Sequence, residues 1–381
     1  MRILHVDHSD VLGGAERSVL ELAVAQRDRG HDVQVAVGRA GAFSAALNGR
    51  RVEWQDLGWS RRYLNVPQIS SSLQLLAGLP DVARAAAALR SAVRRARPDV
   101  VQAHTRKAQL VASLALARVD VPLVWHLRDD LPTRRPLRTI IAAAMRRADH
   151  AVALSTWLAG SYGMAAGVLP RSGRIGVVPS GIDPGALAGL ATPWLDGQRE
   201  AVVGYVGQIA RWKGPHLLID AAEYLPESHV TFRIVGSVSF PAAEARYGRW
   251  LENRLAASAA RDRVEWLPAT ERPEDAFALI DVLVHTSLAP EPFGRVLVEA
   301  MAARRPIIAL DSGSAAELLD ESTAVFAERS DGPSIARAIT VVTGDRDRAR
   351  DMAARAVLTA ARYEPAVVAA LMDEEYARLG R

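Results

Sequence analysis

Not one of the 381 residues is a cysteine. Disulfide frameworks, thiolate nucleophiles and cysteine-ligated zinc or iron–sulfur centres are therefore excluded. Long apolar runs are missing too. No stretch approaches the roughly 20 residues that cross a bilayer as a helix, and the run at 140–145 is bounded by arginines. The opening Met1-Arg-Ile-Leu-His-Val-Asp7 is too short for a signal peptide, with Asp7 and Asp10 where an apolar core would continue. A cytoplasmic, soluble protein is expected. An excess of one charge is absent as well: 47 basic residues stand against 43 acidic, a net +4. Without a basic stripe interleaved with aromatics, nucleic acid is not an expected partner. Lysine is nearly absent, so Lys107 and Lys213 attract inspection among the arginines.

What is present is an ordinary globular composition, 49% hydrophobic and 24% charged, in a chain long enough for two domains. Short β-branched runs alternate with longer helical patterns, which is the mark of parallel βαβ units. Strands are expected at residues 2–6, 31–37, 100–103, 123–126 and 151–154, with glycines at 13, 14 and 30 punctuating the first unit. The segment 61–78 is the least regular. A second series places strands at 202–206, 231–235, 264–267, 282–285 and 306–310. The expected architecture is two Rossmann-like doubly wound α/β domains facing across a cleft, ligands lying outside the strand carboxyl ends. The expected boundaries are 1–180, a linker at 181–200, 201–362, and a C-terminal helix at 363–381.

Several motifs fall at those strand ends. Glu291-Pro-Phe-Gly-Arg-Val-Leu-Val-Glu299 follows a strand and runs into a helix from about Arg295. A helix N-terminus offers free N–H groups and a positive dipole end to a diphosphate, Gly294 permits close approach, and carboxylates accept hydrogen bonds from sugar hydroxyls. For Glu291 alone, a helix-capping role fits equally well. Gly204-Tyr-Val-Gly-Gln-Ile-Ala-Arg-Trp-Lys-Gly214 ends a strand in a glycine turn with Lys213 before a helix. A cation there opposes the helix dipole unless an anion sits beside it. Gly13-Gly14-Ala-Glu-Arg17 follows the first strand without forming a G-x-G-x-x-G or Walker pattern. His104 and His126 close strands, whereas His31, His150 and His229 read as structural. No His/Asp/Glu set has metal-ligand spacing, and Asp345-Arg-Asp347 reads as a solvated helical face.

In their order, five of these segments resemble the retaining GT-B glycosyltransferases of family 4. They are Gly13-Gly-Ala-Glu16, His126, Val178-Pro-Ser-Gly-Ile-Asp183, the stretch from Gly207 to Gly214, and the pair Glu291 and Glu299. The likeness covers almost the whole chain, and Arg362-Tyr-Glu-Pro365 resembles the start of the family's C-terminal helix, which implies that residues 363–381 cross back to the first domain. The resemblance implies a nucleotide-sugar donor, with uridine favoured by frequency (UDP-glucose or UDP-GlcNAc, for example), and no cofactor or metal. It implies catalytic roles for His126, near the donor sugar, and for Glu291, on the hydroxyls of the transferred sugar. Donor binding is implied for Gly14, Gly207, Gln208, Arg211, Lys213, Phe293, Gly294, Leu297 and Glu299, the last on the ribose. Acceptor-side candidates are Glu16, His104 and Arg128. The chain departs from the family at Gln208, where an arginine is usual, so that Arg211 or Lys213 with the helix N-terminus has to supply the charge. It departs again at Trp266-Leu-Pro268, where glycine is usual.

The reaction implied is metal-independent hexosyl transfer with retention, through same-face attack assisted by the leaving phosphate. Domain closure is expected to exclude water. The acceptor, a small metabolite or a lipid-linked hydroxyl compound, stays open. Arginines 134, 135, 138, 146 and 147 around a helix suit either a plain surface or peripheral contact with the inner membrane face. Rival readings are a GT-B nucleotide-sugar epimerase or phosphorylase, a nucleotide-binding oxidoreductase, or a silent nucleotide-sugar-binding protein.

Overall fold

A computed structural model describes residues 1–64, 79–133, 135–163, 167–225, 230–238 and 241–379. Of the irregular segment 61–78, only the short helix Arg61–Leu64 is described; Arg134 and His229 also lie outside the described residues. The chain forms two compact units, Met1–Gly181 with Pro365–Arg381, and Ile182–Glu364.

The first unit is built on seven parallel strands. They are β1 Arg2–Asp7, β2 Asp32–Val37, β3 Glu53–Asp56, β4 Val100–Ala103, β5 Leu123–Leu127, β6 His150–Ala153 and β7 Ile175–Val177, in the order β3-β2-β1-β4-β5-β6-β7. The order reverses between β1 and β4, where doubly wound sheets bind ligands. Every residue of β4, β5 and β6 is buried, as parallel strands covered on both faces must be. The polar residues among them then have to find partners inside the protein. Helix Pro365–Ala377 packs Val368, Ala369, Met372 and Tyr376 into the same core as Val19 and Leu22 of helix Gly14–Asp28.

The second unit has six parallel strands: β8 Val202–Val206, β9 Thr231–Val235, β10 Val264–Leu267, β11 Val282–His285, β12 Ile307–Leu310 and β13 Ala324–Ala327. Their order is β10-β9-β8-β11-β12-β13, reversing between β8 and β11. Residues 182–200 are not a free linker. Trp194 and Leu195 lie in this unit's core, and Arg199 reaches the buried Asp281 at 2.5 Å. Asp345 caps helix Arg346–Ala360 by accepting from the Arg348 N–H at 2.9 Å. That gives the Asp-x-Asp sequence a local structural use.

Candidate active site

In the first unit, helix Gly14–Asp28 starts directly after the β1 loop, with Gly14 exposed. The Gly13 N–H donates to Glu16 at 2.9 Å, so Glu16 folds back onto its own helix N-terminus as an N3 carboxylate does. Burial, then the nearby Asp7, push the Glu16 carboxyl up from its ordinary range. Arg128 donates to the Ala15 carbonyl at 3.1 Å and to Ser18 Oγ at 3.2 Å, which fixes its charge beside the same helix start. His104 and His126 are fully buried, their ring centres 5.2 Å apart. His5, on β1, joins them with its ring centre 4.9 Å from that of His104. Burial, and then Arg128, hold the His104 and His126 pKa values well below the ordinary range. Both rings are therefore neutral hydrogen-bonding groups rather than proton donors of the imidazolium kind. Gln102 donates to His126 Nδ1 at 3.1 Å, while His126 Nε2 and His104 Nδ1 are buried without a partner. Buried polar atoms without a partner are uncommon, and two of them on neighbouring rings mark this as a candidate site.

In the second unit, the loop after β8 carries Gly207, Gln208 and Arg211. Gly207 bonds back to the Val235 carbonyl at 3.0 Å, and the Gln208 carbonyl accepts from the Tyr205 hydroxyl at 2.7 Å. Arg211 and Trp212 are exposed, and Lys213 sits over the Trp212 ring at 4.5 Å. Gly214 is left-handed, at φ 66°, and a Cβ there would meet the Thr286 carbonyl oxygen at 2.4 Å. That close approach, with Thr286 Oγ1 donating to the Lys213 carbonyl at 2.9 Å, seats the lysine against the end of β11. Lys213 Nζ meets Glu291 Oε1 at 2.5 Å, and His285 Nε2 meets the same oxygen at 3.0 Å. Burial pushes the Glu291 carboxyl up, but Lys213 and His285 outweigh it and hold the group ionised, well below the ordinary carboxylate range.

Gly294 (φ 81°) caps helix Arg295–Ala302, and Glu299 pairs with Arg295 at 3.3 Å on that helix. Phe293 is buried, edge-on to Tyr363 at 5.6 Å. Leu297 is fully buried, and its N–H is taken by the Gly294 carbonyl at 3.0 Å. The structure thus gathers His104, His126, Arg128, Glu16 and Gly14 in one unit. In the other it gathers Lys213 and Glu291 beside a helix start bearing Arg295 and Glu299. His5, His285, Gln26, Gln102 and Tyr376 do not stand out in the sequence as site residues. The only available signal was a polar residue inside an otherwise apolar strand, as at His5, Gln102 and His285. Among the described residues no group of three or more His, Asp or Glu is arranged to hold a metal ion.

Comparison with known proteins gives matches along nearly the whole chain. The family model "Glycosyltransferase Family 4" matches residues 12–186, and "Glycosyl transferases group 1" matches residues 194–358. A D-inositol 3-phosphate glycosyltransferase of Nocardia farcinica is 31% identical over 73% of this chain, and the chain spans 61% of that relative's length. A second protein of that name, from Xylanimonas cellulosilytica, is 27% identical over 96% of this chain and 92% of its own. The structure of Anabaena HepE in complex with UDP and glucose is similar with a TM-score of 0.81 and 28% identity, over 99% of both chains.

Proposed function

The chain belongs to the group 1, family 4 glycosyltransferases of the GT-B fold, and on that premise we propose that it transfers a sugar from a nucleotide-sugar donor to an acceptor hydroxyl. The observation that carries this reading is the Lys213–Glu291–His285 cluster beside the N-terminus of helix Arg295–Ala302. Breaking the anomeric C–O bond leaves negative charge on the departing diphosphate. Lys213, Arg211 and the helix N–H groups are matched to that charge, and preorganised stabilisation of this kind is the largest contribution in most enzymes. Lys213 has three donor hydrogens, so its bond to Glu291 leaves capacity for a phosphate oxygen. Glu291, kept ionised, is an acceptor for hydroxyls of the transferred sugar. Glu299 is assigned to the ribose and neutral His126 to the reacting sugar, with Glu16, His104 and Arg128 on the acceptor side.

Uridine diphosphate as the donor's nucleotide is supported by HepE, which binds UDP and UDP-glucose. The family resemblance supports retention. Protein cations in place of a metal support metal independence, so turnover after exhaustive chelation should equal that of the untreated enzyme; a loss restored by magnesium would overturn it. Acceptors named for relatives, D-inositol 3-phosphate and lipopolysaccharide core, support a hydroxyl-bearing metabolite or glycolipid. No described helix is long and apolar enough to cross a membrane. We place the enzyme in the cytoplasm, where peripheral contact at the inner membrane face would give it a route to an acceptor that is lipid-linked rather than soluble.

The site assignment is tested by calorimetric titration of UDP-glucose and UDP-GlcNAc into wild type, Lys213→Ala and Glu299→Ala. Loss of a charge-assisted hydrogen bond costs roughly 1.5–3 kcal/mol, or about ten- to a hundredfold in affinity. Affinities within about threefold of wild type in both variants would sink it.

A further inference from the structure

His5, His104 and His126 of the first unit belong to one unbroken hydrogen-bonded chain. His104 Nε2 meets His5 Nδ1 at 2.8 Å, and His5 Nε2 meets Gln26 Oε1 at 2.7 Å. Gln26 Nε2 donates to the Tyr376 hydroxyl at 3.3 Å, and that hydroxyl donates to Gln102 Oε1. Gln102 Nε2 then donates to His126 Nδ1 at 3.1 Å. All six side chains are at most 2% exposed. The two ends of the chain, His104 Nδ1 and His126 Nε2, are the partnerless atoms.

Each link constrains the next, because a neutral imidazole carries one proton and an amide donates on one side and accepts on the other. With Gln102 Nε2 facing His126, Nδ1 of that ring has to be the acceptor and its proton has to sit on Nε2. The same rule puts the protons of His5 and His104 on Nε2. Reversing one link reverses them all: both amides turn, the hydroxyl rotates and three protons move to Nδ1. Only these two polarities are self-consistent. Met372 selects between them, because its sulfur lies 3.6 Å from Gln102 Nε2 and accepts the second hydrogen of that group.

We propose that Gln102 and Tyr376 are positioning residues, which fix the proton of His126 on Nε2 and so make it a hydrogen-bond donor to the reacting sugar. The C-terminal helix thereby sets the character of a group on β5. This rests on the reading of His126 as the residue that meets the sugar.

The test uses the full chain labelled with 15N-histidine, with the His126 resonances identified by their loss in His126→Ala. Wild type should show Nε2 protonated and Nδ1 bare. Gln102→Glu replaces the amide donor with an acceptor, so Nδ1 should become protonated. Turnover should fall at least about tenfold with donor affinity within about threefold, the pattern of an interaction made in the transition state. Tyr376→Phe keeps the ring but removes the hydroxyl that donates to Gln102 Oε1, leaving only the Met372 contact to hold the amide, so the Nδ1-protonated tautomer should appear beside the Nε2-protonated one, a readout that does not depend on Gln102→Glu folding. A His126 ring that stays Nε2-protonated in these variants overturns the proposal. A changed tautomer with unchanged turnover upholds the relay and removes His126 from the reaction instead. His126→Ala separates the two, since the underlying reading requires it to lower turnover about a hundredfold.

Discussion

Glu291 stands where a lone carboxylate would give up its charge. It is 6% exposed and keeps that charge because Lys213 and His285 share one of its oxygens. Removing one partner of a sealed ion pair costs about 3–5 kcal/mol, and Lys213, at 18% side-chain exposure, retains some water. Glu291→Gln should therefore destabilise the protein by about 2–3 kcal/mol and abolish most turnover. Lys213→Met combined with Glu291→Gln should recover part of the stability and none of the activity. Urea unfolding and turnover measured on the same preparations check this, and activity that returned with stability would show the pair to be purely structural. Lys213 and Glu291 were legible because each lies in a short motif beside glycine and a helix start. His285 was read only as a strand residue, since its partner becomes visible once β11 and the following loop fold together. Gln102 and Tyr376 were hidden by distance, being 274 residues apart in the chain. Lys107, singled out by composition, is tied to the Leu64 carbonyl and lies over the Tyr63 ring at 6.0 Å.

Among the elements, the central strands were legible and the outermost ones largely were not. Strands β3 and β7 close the two ends of the first sheet, and β13 closes one end of the second. Glu53-Trp-Gln-Asp56 has no apolar run, and β7 is three residues long. β3 thus lacks the continuous hydrophobic signal of strands covered on both faces, whereas β13, Ala324-Val-Phe-Ala327, carries an apolar run that was overlooked. The loop between β8 and helix His216–Glu223 depends on one close approach. Gly214→Ala would combine a left-handed backbone with a Cβ 2.4 Å from the Thr286 carbonyl oxygen. The strained backbone and the overlap together should cost about 2–4 kcal/mol, and the displaced Lys213 should weaken donor binding. Gly58→Ala is the control. Its φ of 65° is similar but nothing lies within 4 Å of the added carbon, so it should cost about 1 kcal/mol and leave donor affinity unchanged. Equal effects of the two on donor binding would show that the contact with Thr286 does not position the lysine.

At the scale of the molecule, the two units respond differently to acid. The first holds His5, His104, His126 and His150, all with pKa values lowered by burial, His5 to about 4. In the second, burial lowers the pKa of His216, a half-buried ring. A histidine held neutral in the folded state costs nothing above its unfolded pKa of about 6.5, where both states are uncharged. As the pH falls below that value the unfolded chain binds a proton that the folded chain refuses, so stability declines until the folded pKa is reached. Each such group contributes a slope of about 1.4 kcal/mol per pH unit, and the three fully buried rings together approach about 4. Arg128 adds to the shift at each of the three, and Gln26 and Glu375 work against it at His5 and His150. Glu291 has the opposite sign: its lowered pKa contributes stability that persists above about 4.5 and is lost only at lower pH. Between about pH 6.5 and 4.5 the loss should therefore fall on the first unit, and unfolding should cease to be two-state. Hydrogen exchange read by mass spectrometry at pH 7.5 and 5.5, corrected for intrinsic rates, should show protection falling in β1, β4 and β5 while β8, β11 and β12 hold theirs. Equal loss in both units, or earlier loss in the second, would mean that the three histidines are not held neutral.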